Sequence, residues 1–287
     1  MAEKMIIKRL KQKFRAYRDY IDDVPLEMVL IPDGTFTMGA PEDEEGSLQN
    51  ETPQHEVTIS SFLMGRYPVT QGQWKAIATK TDLKFKIDLQ EDPSQFKQSY
   101  KGIERWQRPV ECVSWYEAIE FCQRLSKLTG KDYKLPSEAQ WEYACRAGTP
   151  APFHFGETIT RELANYRGTD NEEYQLSKSY SKVLKEDYRE QTTPVGYFDV
   201  TNAFGLFDMH GNVREWCADD WHDSYKGAPN YGSPWLNGNE NRSPLRGGSW
   251  INYQSNCRSA YRDLDNRRAD RNHCIGFRVV CVLRKTP

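Results

Sequence analysis

Apolar residues along the chain recur at two different periods, and the two periods divide it into helical and extended stretches. Residues 4–22 place Ile7, Leu10, Phe14, Tyr17 and Ile21 at three- and four-residue steps among Lys and Arg. That spacing predicts an amphipathic helix that packs either on the rest of the chain or on a second copy of it. Residues 26–40 and 53–64 read as strands, with an acidic loop containing Gly46 over 41–52 between them. Helices are expected over Thr70–Thr79 and Ser114–Thr129. Ser114 with Glu117, and again Ser137 with Gln140 ahead of Trp141-Glu142-Tyr143-Ala144, have the spacing of a capping box, in which side chains satisfy the first free N–H groups of a helix. Residues 80–108 and 168–192 are polar and look like surface excursions. Near the end, Phe277, Val279 and Cys281 alternate as a closing strand with one buried face. Few helices, many short strands and long Gly/Pro/Asn loops predict an irregular α+β architecture. The expected division is an N-terminal helix over 1–25 and one domain over 26–287.

One stretch breaks the chain's habits. Leu245-Arg246-Gly247-Gly248-Ser249-Trp250 opens it and Ile275-Gly276-Phe277-Arg278-Val279-Val280 closes it. Between them, residues 251–274 contain no Lys, Glu, Met or Trp. Gly247-Gly248 permits a tight turn or close backbone approach, and Trp250 is a large packing anchor. The interior is rich in Tyr, Arg, Asn, Asp and Ser. Tyr and Arg anchor many interfaces, and the small polar residues supply adaptable hydrogen bonds. A solvated loop would share this composition.

Composition narrows the function classes. A formal charge of −2 predicts no general affinity for nucleic acid or for an anionic membrane. No apolar run approaches the roughly 20 residues that span a bilayer, and the first residues do not read as a signal peptide. Seven Cys without a disulfide-scaffold pattern suggest a reduced, cytoplasmic chain. Aromatics at 13% suit loops pinned by Trp and Tyr. None of the five His makes a metal spacing with another His or Cys. No phosphate loop or G-x-S-x-G elbow is present, so an ordinary hydrolase has no support.

Arg246–Trp250 together with Ile275–Val280 resembles the C-terminal signature of the formylglycine-generating enzyme (sulfatase-modifying factor) family. Met28–Gly39, Pro53–Val57, Tyr67–Thr70, Pro109–Trp115, Leu135–Ala144 and Asn202–Trp216 follow in the family's order, so the resemblance runs from about residue 26 to about 283. It implies a C-type-lectin-like fold. It also implies two calcium sites, one at Asp208, Gly211, Val213 and Glu215, the other at Asn165, Tyr166, Asp187 and Arg189, with Gly211, Val213, Tyr166 and Arg189 acting through carbonyls. Oxygen ligands of this mixture suit Ca²⁺, although from spacing alone a loop held by local hydrogen bonds is the better explanation of Asp208–Glu215. The family's enzymes bind Cu(I) through two Cys five residues apart, after the Gly-Gly-Ser-aromatic motif. Here the second aligns with Cys257 and the first falls on Asn252. An amide does not replace a thiolate on a soft ion, so no copper and no Cys oxidation are expected. Cys274 is a remote alternative second sulfur.

Residues 251–274 also resemble the variable region of diversity-generating retroelement proteins, which carry this fold and end in a similar Ile-Gly-Phe-Arg segment. Their diversity arises at adenines, mostly in Asn codons. Codons derived from AAC in that way cannot encode Lys, Glu, Gln, Met or Trp. Ile251, Asn252, Tyr253, Ser255, Tyr261, Asp263, Leu264, Asp265, Arg268, Ala269, Asp270, His273 and Cys274 are all reachable types, and they form the expected ligand-binding set. The resemblance therefore implies a non-catalytic variable protein whose ligand is another protein. The alternative is a modifying oxidoreductase with an altered active site. A third reading is a regulatory module of a signalling system, since relatives of this fold occur beside kinases. Self-association through the N-terminal helix is a further expectation.

Overall fold

The computed structural model describes residues 13–168, 188–264 and 266–282. A five-stranded antiparallel sheet has the order β1-β2-β5-β10-β6, built from β1 (Ala16–Ile21), β2 (Val24–Ile31), β5 (Phe62–Gly65), β6 (Tyr133–Lys134) and β10 (Val280–Cys281). A hairpin of β3 (Gly34–Met38) and β4 (His55–Ile59) stands beside it. A small sheet, β8-β7-β9, is formed by β7 (Arg214–Trp216), β8 (Leu245–Arg246) and β9 (Ile275–Gly276), with β7 and β9 parallel. Among the described residues the α-helices are α1 (Gln71–Ala78), α2 (Trp115–Thr129) and α3 (Glu138–Arg146).

The helix expected over residues 4–22 is corrected where it can be seen. Ala16–Ile21 is strand β1, paired residue by residue with β2 from Ala16↔Val29 to Ile21↔Val24. Asp22, at φ 52°, turns the chain between them. The six-residue ladder and the burial of Ile21 override the helical spacing, and the strand leaves Tyr17, expected on the apolar face, in solvent beside Tyr20. Residues 4–12 of that expected helix lie outside the described residues. The other helices form: Ser114 and Ser137 close the expected capping boxes with Glu117 and Gln140, and Thr70 closes a further one with Gln73 at the start of α1. Gly130, at φ 70°, ends α2 in the left-handed conformation that Gly adopts without strain.

Trp74 of α1 stacks on Phe121 of α2 at 5.6 Å, and Phe277 meets both rings edge-on. The C-terminal segment thus completes the main core. Beyond the apolar clusters, Arg108, Arg124, Arg246, Arg258, Arg262 and Arg278 are each 1% exposed or less. A guanidinium stays charged wherever it sits, so each must be met by acceptors. Those acceptors fix the path of residues 246–278.

Candidate binding surface

After β8 the chain turns through Gly247 (φ 90°) and Gly248 (φ 67°). A Cβ on Gly248 would lie 2.6 Å from Cys257 Sγ and 2.7 Å from Asn256 O, so a side chain there is excluded by space as well as by conformation. Trp250 follows, with Phe96 edge-on at 5.5 Å and Tyr188 stacked at 5.9 Å. Its Nε1–H donates to His273 O at 3.1 Å, which ties the start of the segment to its end.

Ion pairs to distant carboxylates hold what lies between. Arg258 donates to both oxygens of Glu51 at 2.8 Å each, to Glu44 at 2.5 Å and to Gly46 O at 2.6 Å. This fastens the segment to the acidic loop before β4. Arg262 forks onto Glu138 at 2.7 and 3.0 Å, donates to Asn50 O and His222 O, and lies over Trp221 and Tyr225. Arg268 donates to Asp220 at 2.7 Å and Ser243 at 2.7 Å, with its guanidinium 4.0 Å over Trp115. Arg214 of β7 pairs with Asp263 and donates to Cys274 Sγ at 2.9 Å. Charge-assisted, bidentate bonds of this kind are strong and geometrically exacting.

The expected binding residues therefore fall into two groups. Tyr261, Asp263, Arg268 and Cys274 are buried and belong to this frame. Burial pushes the Tyr261 hydroxyl well above its usual range. Ile251, Asn252, Tyr253, Ser255 and His273 are half-buried, and Leu264, Ala269 and Asp270 are exposed. Asp265 lies outside the described residues. Arg267, Arg271 and Asn272, which were not among the expected residues, are exposed alongside them. A depression of about 640 Å³ adjoins this face, lined by Tyr116, Asn239, Asn241, Arg242, Arg267 and Ala269. Tyr116 comes from helix α2 and Asn239, Asn241 and Arg242 from the loop before β8, outside the segment marked by composition. On the other flank Arg167 lies over the rings of Tyr188 and Tyr253.

The expected family chemistry meets a different geometry. Asn252 Oδ1 accepts from Ser249 Oγ at 2.5 Å, and Asn252 O accepts from Arg167 N. Cys257 is fully buried with Phe153, Ile159, Ala164 and Tyr166, and burial raises its thiol far above its usual range. Cys274 belongs to the other core cluster and faces Arg214, so the two sulfurs do not share one environment.

The first calcium set does not fit a cation as it stands. Both oxygens of Glu215 accept from Arg278, at 2.8 and 2.6 Å, and Trp141 Nε1 adds a third bond. A cation here would displace a buried guanidinium. Asp208 accepts from Gly196 N, and burial lifts its carboxyl to about 6. The second set fits better. Asn165 Oδ1 is buried and has no hydrogen-bond partner among the described residues, while its Nδ2 donates to Gln191 O and Asn212 Oδ1. A hard cation seeks an oxygen of that kind. Tyr166 and Arg189 flank the same region, and Asp187 lies outside the described residues. No group of three or more His, Cys, Asp or Glu that could hold a metal gathers among the described residues.

The model of the sulfatase-modifying factor enzyme 1-like domain matches residues 21–283. The chain belongs to this family. Its architecture is the α+β, C-type-lectin-like fold of the formylglycine-generating type. The chain is 30% identical over 273 residues to a serine/threonine-protein kinase pkn1 of Chlamydia caviae, covering 88% of this chain and 37% of the kinase. It therefore spans little more than a third of that relative. Among solved structures it is similar to PvdO from Pseudomonas aeruginosa, with a TM-score of 0.76, 35% identity and coverage of 96% and 100% of the two chains. It also superposes on Treponema denticola variable protein 1 with a TM-score of 0.73, at 24% identity and coverage of 93% and 99%. No helix among the described residues is long and apolar enough to cross a membrane.

Proposed function

We propose that this domain is a non-catalytic binding protein that presents the segment 251–274 to another protein, and that this segment is diversified by a retroelement. One observation carries the reading. Arg258, Arg262 and Arg268 are clamped by carboxylates on other parts of the fold, while exposed Leu264 lies between two clamps and half-buried Tyr253 and exposed Ala269 and Asp270 lie just outside them. Side chains beside such clamps can be exchanged without moving the backbone that carries them. The Lys- and Glu-free composition of 251–274 supports the diversification. The likeness to a variable protein supports the scaffold. Asn252 and the sealed thiol of Cys257 favour binding over Cys oxidation.

Sequencing around the gene tests the diversification. The expected result is a near-copy of codons 246–280 whose mismatches fall at template adenines, with a reverse transcriptase nearby. An intact locus without such a copy overturns it. Conversion of a Cys-containing peptide to its aldehyde by the Cu(I)-loaded protein would overturn the non-catalytic reading.

Calcium at Asn165, with the carbonyls of Tyr166 and Arg189, is proposed as a support of the scaffold. A cation held only by the folded state at 100 times its dissociation constant stabilises by about 2.7 kcal/mol. Excess calcium should therefore raise Tm, chelator should reverse the rise, and Asn165→Ala should abolish the difference.

A further inference from the structure

The depression beside residues 251–274 is lined almost entirely by side chains outside the set expected to vary. Tyr116 stands at the start of α2, Asn239, Asn241 and Arg242 on the loop before β8, and Arg267 inside the segment but apart from that set, to which Ala269 belongs. Backbone bonds hold the loop in place. Asn239 N donates to Trp221 O at 2.9 Å, Trp221 N to Arg242 O at 3.1 Å, and Arg268 N to Asn241 O at 2.9 Å. Asn239 and Arg242 also line a second depression of about 380 Å³, which brings Lys226 and Trp235 beside the first.

Charge decides what fits here. Arg242 and Arg267 face each other across an antiparallel bridge. Residues paired in this way carry their side chains on one face, about 5 Å apart at Cβ, where like charges repel. The ion pairs around them run from Arg268 to Asp220 and from Arg271 to Glu117, and no carboxylate among the described residues pairs with the Arg267 guanidinium. Asp270 accepts from Arg267 N instead, at 2.8 Å. No lining residue of the larger depression is acidic. Asp223, which lines the smaller one, accepts from Trp221 Nε1 at 2.8 Å, and Glu240 on the same loop lines neither.

A carboxylate meets a guanidinium fork through two parallel, charge-assisted bonds. The amides of Asn239 and Asn241 and the hydroxyl of Tyr116 add further donors. The two adjoining depressions are far larger than a single small anion, and the rings of Tyr116 and Trp235 lie along them, which suits acidic side chains carried on a peptide.

We propose that this depression is a constant subsite for an acidic segment of the protein partner, with an Asp or Glu carboxylate seated between Arg242 and Arg267. The inference rests on the reading of residues 251–274 as a protein-binding face, and it names the chemistry that every variant of that face would share. Exchange of the neighbouring side chains would retune the surrounding contacts while the acidic anchor fixes the partner's register.

Nitrogen-edited NMR of the full chain tests this, with an acetylated and amidated Gly-Glu-Glu-Glu-Gly peptide as the probe. The Nε–H signals of Arg242 and Arg267 should shift saturably, and the same peptide with Gln in place of Glu should leave them where they are. Arg267→Gln should weaken binding about tenfold or more, as loss of a hydrogen bond to a charged group does. Arg15→Gln, which removes the same charge from an exposed position ahead of β1, should leave binding unchanged. Shifts that do not saturate, equal shifts with the Gln peptide, or an equal loss from Arg15→Gln would overturn the proposal. So would tighter binding of inorganic phosphate than of the peptide, which would assign the site to a small anion. Such a failure leaves the diversification of residues 251–274 to be decided at the locus, and a locus without the near-copy leaves this peptide binding as it is.

Discussion

Arg258→Met would leave Glu51, fully buried, beside Glu44 with no cation between them. Breaking a buried pair in this way costs about 3–5 kcal/mol. Urea unfolding should show that loss, whereas Arg267→Met, at an exposed position, should stay within about 0.5 kcal/mol of the parent. His210 makes a second prediction. Its Nδ1 faces Cys257 O at 2.7 Å and its Nε2 accepts from His154 N at 3.1 Å, so the ring is held neutral. Burial lowers it to about 4. The unfolded chain takes up this proton near pH 6.5 and the folded chain does not, so the histidine's contribution is intact above pH 6.5 and is lost as pH falls toward 4. Asp208 and Asp219, lifted by burial to about 6 and about 7, act in the opposite sense, because the folded state takes up their protons first. Replacing His210 with Gln should therefore make stability fall less between pH 7 and pH 5 than in the parent. Urea midpoints at the two pH values check this. An equal or larger fall would exclude the ring as the titrating group.

Helix caps were legible along the chain because their signals are local, whereas the closing segment, expected as one strand with one buried face, is two short strands, β9 and β10, in a stretch buried throughout. Ser114 and Glu117 lie three residues apart and meet as expected. Ser114→Ala should cost about 1 kcal/mol by loss of the cap, readable as a shift of the urea midpoint at constant slope. Strand β1 was not legible, since its partner β2 decides it and a three- or four-residue spacing of apolar side chains also suits a helix. The clamps of the binding segment were hidden for a related reason. Arg258 and Arg262 stand in the sequence as ordinary polar residues, and their acceptors Glu51 and Glu138 lie more than a hundred residues away. Sequence composition marked the segment. It did not separate Tyr261, buried with its ring, from Tyr253, which reaches the surface.

For the whole molecule, binding and scaffold should separate under mutation. Once a protein ligand is in hand, Tyr253→Ala should weaken binding by about 1–2 kcal/mol, the usual range for a surface anchor. Cys257→Ala should leave binding unchanged and alter stability alone, measured by titration calorimetry beside thermal unfolding. An equal loss of affinity from both would remove the distinction between frame and display. The fold makes the C-terminus indispensable as well. β10 lies inside the five-stranded sheet between β5 and β6, and β9 pairs with β7. Ile275, Phe277, Val279 and Cys281 all belong to the main core. Every one of these residues is translated after the segment proposed to vary. Codons reached from AAC by changing its adenines all end in C, and no stop codon does, so the substitutions proposed for that segment would leave the closing strands in frame and intact. The variation would stay upstream of the residues that complete the fold without ever costing the molecule those residues.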